Sequence, residues 1–176
     1  MRENYRDRAV VIRTYDFGEA DRVIVLLTRN HGLVRAVAKG VRRAKSRFGS
    51  RLQLFVDLDV QLYVGKNLAT ISQADTVDYF GARLIEDYER YTAACAVLES
   101  AERLAFADAD HDPYLYESVT ATLGQLQTAD PTLALDAFLL QAMAHAGWAP
   151  SLFNCAQCNR PGPHLSLIHI SEPTRQ

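Results

Sequence analysis

No run of about 18 apolar residues occurs in the 176-residue chain, so no helix is expected to cross a membrane. The N-terminal segment 1–8 is charged and has neither the apolar core nor the small-residue cleavage site of a signal peptide. Cysteine is scarce: three residues in a reducing compartment argue against a disulfide framework. No glycine-rich loop joins a strand to a helix, which speaks against a nucleotide-binding α/β unit. No acid, base and nucleophile can be placed together, so the chain is not expected to be an enzyme. His31 and His111 read as surface turn residues without a carboxylate partner, and His145 as a packing residue. Asp57 and Asp59 share one face of a strand and read as a solvent face.

Charge, by contrast, is plentiful and uneven. Residues 1–80 carry 14 Lys and Arg against 9 Asp and Glu, whereas residues 81–176 carry 5 against 12. The overall charge of −2 therefore hides a basic front half and an acidic back half. The basic excess concentrates in one stretch. Lys39, Arg42, Arg43, Lys45, Arg47 and Arg51 fall within 13 residues, with no acid among them and one aromatic ring, Phe48. Cations this close repel one another unless a counter-charge neutralises them, and a nucleic-acid backbone is the commonest. A solvated basic loop without a ligand is the competing reading.

Around that stretch the hydrophobic pattern is that of short strands. Residues 8–16, 23–28 and 33–38 are rich in β-branched and apolar residues and are separated by turns, among them Asn30-His31-Gly32. From Leu54 to Val64 apolar residues alternate with Phe55, Asp57, Asp59, Gln61 and Tyr63, a period of two over 11 residues. A weaker fifth strand follows at 68–77. Five short strands in about 80 residues predict a small closed barrel or sandwich.

At Gly81 the period changes. Leu84, Tyr88, Tyr91, Cys95 and Leu98 are spaced as one face of a helix running to about Ala107, with Cys95 as a buried core thiol. Asp112-Pro113 and Asp130-Pro131 are start signals for two further helices. The last of these is apolar around most of its circumference, which predicts the buried centre of a bundle. Gly147 and Pro150 end it, with Trp148 as a cap on the bundle.

Cys155 and Cys158 are spaced as half of a tetrahedral zinc site, and no second such pair follows. A chance or redox pair is the alternative. Residues 165–176 continue no earlier periodicity and read like translated sequencing-adapter sequence. The native chain is accordingly expected to be cut near His164. The expected organisation is a strand domain at 1–80, a helical domain at 81–153, half of a zinc module at 154–164 and a non-native tail at 165–176.

In their order along the chain, several motifs resemble those of the bacterial DNA repair and recombination mediator family RecO. They are Gly18-Glu19-Ala20-Asp21-Arg22, Thr28-Arg29-Asn30-His31-Gly32, Ala38-Lys39-Gly40-Val41-Arg42-Arg43, Ser46-Arg47-Phe48-Gly49, Asp59 to Tyr63, Ala146-Gly147-Trp148-Ala149-Pro150 and Cys155-x-x-Cys158. The resemblance implies an α+β protein with an N-terminal five-stranded OB-fold barrel followed by an α-helical domain. It implies binding of single- and double-stranded DNA, annealing of strands coated with single-strand-binding protein, and recombinase loading with RecR. With no membrane span or signal peptide, the expected location is cytoplasmic, in association with the nucleoid. Many members carry a four-cysteine zinc module, so zinc is expected in the full-length protein and not on this chain, which lacks the second cysteine pair. With the basic stretch between strands three and four, cations would follow the backbone while Phe48 either stacks on bases or pins the loop to the barrel. The rival class is a protein-interaction adaptor working through the acidic helical half.

Overall fold

The computed structural model describes residues 4–46, 48–105, 112–149, 151, 153, 154 and 161. Five strands, β1 (Asn4–Phe17), β2 (Asp21–Thr28), β3 (Leu33–Ala38), β4 (Val56–Tyr63) and β5 (Ala69–Tyr79), close a barrel in the order β1-β2-β3-β5-β4. All neighbours are antiparallel except β3 and β5, whose parallel pairing joins Ala36 to Ala69 and Val37 to Thr70. The expected barrel followed by helices is what forms. β1 closes the ring by pairing twice, its first half with β4 and its second with β2. A register shift between Val11 and Arg13 bends it from one partner to the other.

The doubly apolar strands have a simple cause. On one face Ala9, Val11, Ile24, Leu26, Leu58, Val60 and Leu62 fill the barrel. On the other, Val10, Ile12, Val25 and Leu27 face outward and are covered by helices. β1 and β2 are thus shared by two cores, one inside the barrel and one behind it.

Four helices make the second core: α1 (Gly81–Leu84), α2 (Tyr88–Ala105), α3 (Tyr114–Gln125) and α4 (Pro131–Met143). The expected single helix from Gly81 is broken after α1. The Asp87 carboxylate accepts from the backbone N–H groups of Glu89 and Arg90 at 2.9 and 3.2 Å, which caps a new helix start. The restart shifts the buried face. Leu84 and Leu98 of the expected stripe are buried, but Tyr88 is 82% exposed, and Ala93, Ala94, Val97 and Ala101 are buried instead. Cys95 is half-buried at the core's edge. These small residues let α2 pack against α3 and α4. Asp130 caps α4 as its sequence signals, accepting from Leu133 N–H at 2.9 Å with Pro131 in the first turn.

α4 corrects another expectation. It buries only Ala134, Phe138 and Ala142, and leaves Leu133, Leu140 and Met143 exposed. It packs on α2 and α3 from one side, so it is a flank and not a centre. Its end widens into a π-helical turn (Ala144–Trp148) that Gly147 stops at φ +88°. Trp148 there is exposed and caps nothing among the described residues. His145 is exposed too, stacked on Tyr114 and 2.8 Å from the Asp112 carboxylate.

Polar contacts seal the seam between barrel and helices. Asp57, far from being a solvent residue, is 3% exposed under α3. It pairs with the Arg8 guanidinium and accepts from the Tyr116 hydroxyl at 2.8 Å. Burial, and then the bond to Asp57, push the Tyr116 hydroxyl well above the usual tyrosine range. Arg13–Glu102 and Arg29–Glu117, both 2.7 Å, add a pair on either side.

Tyr116→Phe removes a donor from a buried carboxylate, and is expected to lower stability by about 1.5–3 kcal/mol in urea denaturation at neutral pH. Above pH ~10 an unfolded tyrosine ionises while the folded Tyr116 keeps its proton, so stability falls as pH rises through that window. The variant should show a shallower alkaline loss. Phe138→Ala should cost about 3–5 kcal/mol by the same denaturation measurement, because the ring is 1% exposed between helices.

Candidate nucleic-acid interface

The barrel order leaves β3 and β4 unpaired with each other, so residues 39–55 must cross past β5, from β3, whose Val37 pairs with Thr70, to β4, whose Val56 pairs with Tyr79. The crossing is a chain of turns. Gly40 opens it at φ +69°, a conformation in which a side chain would be strained. Its N–H donates to Asp21 Oδ1 at 2.7 Å, and Arg42 N–H donates to the Ala20 carbonyl at 3.0 Å. The first turn is therefore docked on the β1–β2 turn.

Apolar side chains pin the rest. Phe48 is 2% exposed and Leu52 is equally buried, both in the barrel-filling core, and Val41 packs against it. Phe48 was a candidate to stack on a base. A ring enclosed by barrel side chains has no face to offer a ligand, so Phe48 is the anchor of the loop. Phe55 ends the crossing at φ +66°, with its ring edge-on to Tyr91 in the helical core.

Between the anchors the cations face solvent. Lys39, Arg42, Arg43, Lys45 and Arg51 are all exposed. Arg42 reaches Asp16 at 3.6 Å, and Arg51 donates to the Ala74 carbonyl at 3.3 Å. Lys39, Arg43 and Lys45 form no ion pair with any described residue. Asp16 also takes the Arg22 guanidinium at 2.9 Å, and that bond, reinforced by Arg42, holds its carboxyl below the usual range. Arg47 lies outside the described residues, as do the two zinc candidates Cys155 and Cys158. Among the described residues no group of three or more His, Cys, Asp or Glu could hold a metal ion.

Two features escaped the sequence. Asp7 is a buried carboxylate that accepts from Asn30 N–H and Nδ2 and lies 2.7 Å from His31 Nδ1, so His31 does have a carboxylate partner. Tyr5 stacks on His31 at 4.1 Å, and the cluster fixes the β2–β3 hairpin. The second is a pair of half-exposed rings, Tyr15 and Phe17, at the end of β1 beside the docked turn. Tyr15 lies in the strand expected at 8–16 and Phe17 just beyond it, so nothing in the sequence placed the two rings on one face.

The arrangement can neutralise a polyanion over a rigid support. Among the described residues, no helix is long and apolar enough to cross a membrane. Comparison with known families agrees with the two-part architecture. Residues 1–80 match the family model Recombination protein O N terminal, and residues 85–172 match Recombination protein O C terminal. These matches show that the chain belongs to the recombination protein O (RecO) family of DNA repair and recombination proteins.

Proposed function

We propose that the protein is a recombination mediator that binds single- and double-stranded DNA through the strap 39–55. In this reading it anneals complementary strands coated with single-strand-binding protein and helps RecR load the recombinase. The observation that carries the reading is the display of Lys39, Arg43 and Lys45, exposed and unpaired with described residues, on a strap that Phe48 and Leu52 fix to the barrel. Cations held on a rigid support meet phosphates without first losing loop entropy. Phosphate contacts carry little sequence information, so binding is largely indifferent to sequence. Annealing then needs no catalytic group, only enough neutralisation for two polyanions to approach. Cys155 and Cys158 would supply two of the four ligands of a closed zinc site.

The adaptor reading has one observation in its favour. The acidic helical half exposes an apolar stripe on α4, with Leu133 and Leu140 facing solvent. Such a stripe suits a protein partner, and it lies on a different element from the strap. Retained capture of single-strand-binding protein by a chain whose strap is neutralised would support this reading.

If all six cations of the stretch met phosphates, the log–log salt slope on single strands would be roughly −0.7 per contact, or about −4 in total. The triple variant K39A/R43A/K45A is expected to flatten that slope by about 2 in a fluorescence-anisotropy salt series. Its unfolding midpoint should stay near that of the parent, since exposed substitutions usually change stability by less than about 0.5 kcal/mol. An unchanged slope would remove the strap from the interface.

A further inference from the structure

The strap supplies charge but, with Phe48 enclosed, no ring. The outer face of the barrel beside it does supply rings. Strand register places Arg13, Val25 and Arg35 in one row across β1, β2 and β3. The next row on the same face is Tyr15, Val23 and Val37, and Phe17 opposite Asp21 follows. This face is the outward one, because Val25 lies in the core behind the barrel while Ile24 and Leu26 fill its interior. Helices cover the rows at Val10 and Ile12, and the Arg13–Glu102 pair marks where the cover ends. Past that edge Tyr15 is 46% and Phe17 50% exposed.

The two large rings are held half-open on a rigid strand, two residues apart on one face. Several cations lie around them. Arg13 and Arg35 stand in the adjoining row, and Arg22 follows Asp21 on β2. The strap turn bearing Lys39 and Arg42 is bonded to Ala20 and Asp21, next to Phe17. Of the nearby carboxylates, Asp16 is engaged by Arg22 and Arg42, Asp21 by Gly40 N–H and Glu102 by Arg13, while Glu19 in the β1–β2 turn is exposed. A hydrophobic protein segment would use the two rings and offer the cations no counter-charge. An unpaired nucleic-acid strand would gain from both, through phosphates on the cations and bases on the rings.

We infer that Tyr15 and Phe17 form a base-stacking platform for a single strand, continuous with the cationic strap. The inference rests on the DNA-binding role proposed for the strap and adds what the strap lacks, a means to tell an unpaired strand from a duplex. A duplex keeps its bases stacked on each other and can use only the cations. The two surfaces therefore divide the work: the strap meets either form of DNA, and the platform favours the single strand.

The test uses the full chain, a thymidine oligomer, its abasic counterpart of equal length and a duplex. Y15A/F17A is expected to weaken binding to the thymidine oligomer by about 5- to 150-fold for each ring that stacks. Abasic and duplex binding, and the salt slope, should stay as in the parent. F17W adds a reporter to a chain with a single tryptophan, Trp148. Its emission should be quenched by the thymidine oligomer and not by the abasic one, and it should bind as tightly as the parent. Equal quenching by both, or equal losses for all three ligands in Y15A/F17A, would overturn the platform while leaving the strap in place. Failure of the parent chain to bind any of the three would overturn both.

Discussion

Double-sided burial of β1 and β2 is the constraint on which this molecule depends. A five-stranded barrel of this size can fill its interior with Val, Ile, Leu and Ala, and it does. Val10, Ile12, Val25 and Leu27 on the outer face would then lie in water, at a cost of roughly 1.5–3 kcal/mol for each large side chain left uncovered. The helices remove that cost, so barrel and helical half are held by one continuous apolar layer and not by a linker. Charged pairs at its margin, with Asp57 as the buried member, set the register of helix on sheet more than they add net stability.

The same layer explains how the candidate interface is arranged. Helices occupy one end of the outer face, which leaves the other end and the strap to solvent. The basic residues cannot be relocated to the helical side without facing its carboxylates. The uneven charge of the two halves thus has a spatial meaning. One end of the barrel offers cations on fixed supports, and the far flank of the bundle offers acids and an apolar stripe.

Periodicity carried much of this. The alternation from Leu54 to Val64 marks β4, Asp130-Pro131 marks the start of α4, and the cation run marks the strap. What stayed hidden was what covers each surface. Alternation separates two faces of a strand, yet it cannot say that a helix lies over the polar one, so Asp57 read as a solvent residue. Helical spacing cannot show that Asp87 restarts the helix, and a misplaced start assigned Tyr88 to the core. Phe48 offered two opposite uses, and only the packing of the strap decided between them. Asp7 and His31, 24 positions apart, meet only because β1 runs beside the β2–β3 hairpin.

The path of the strap has a consequence for how this protein can vary. β3 and β4 flank β5, and Val37 at the end of β3 pairs with Thr70 while Val56 at the start of β4 pairs with Tyr79, so the segment that joins them must run ~26 Å along β5, at ~3.3 Å per residue, and also deliver Phe48 and Leu52 into the barrel. Its length and its apolar anchors are therefore dictated by closure, whatever the protein binds. The residues between the anchors are under no such demand. Substitution there can retune affinity for a polyanion without touching the scaffold, whereas a deletion of a few residues would unmake the barrel. The segment is an adjustable grip mounted on a strut of fixed length.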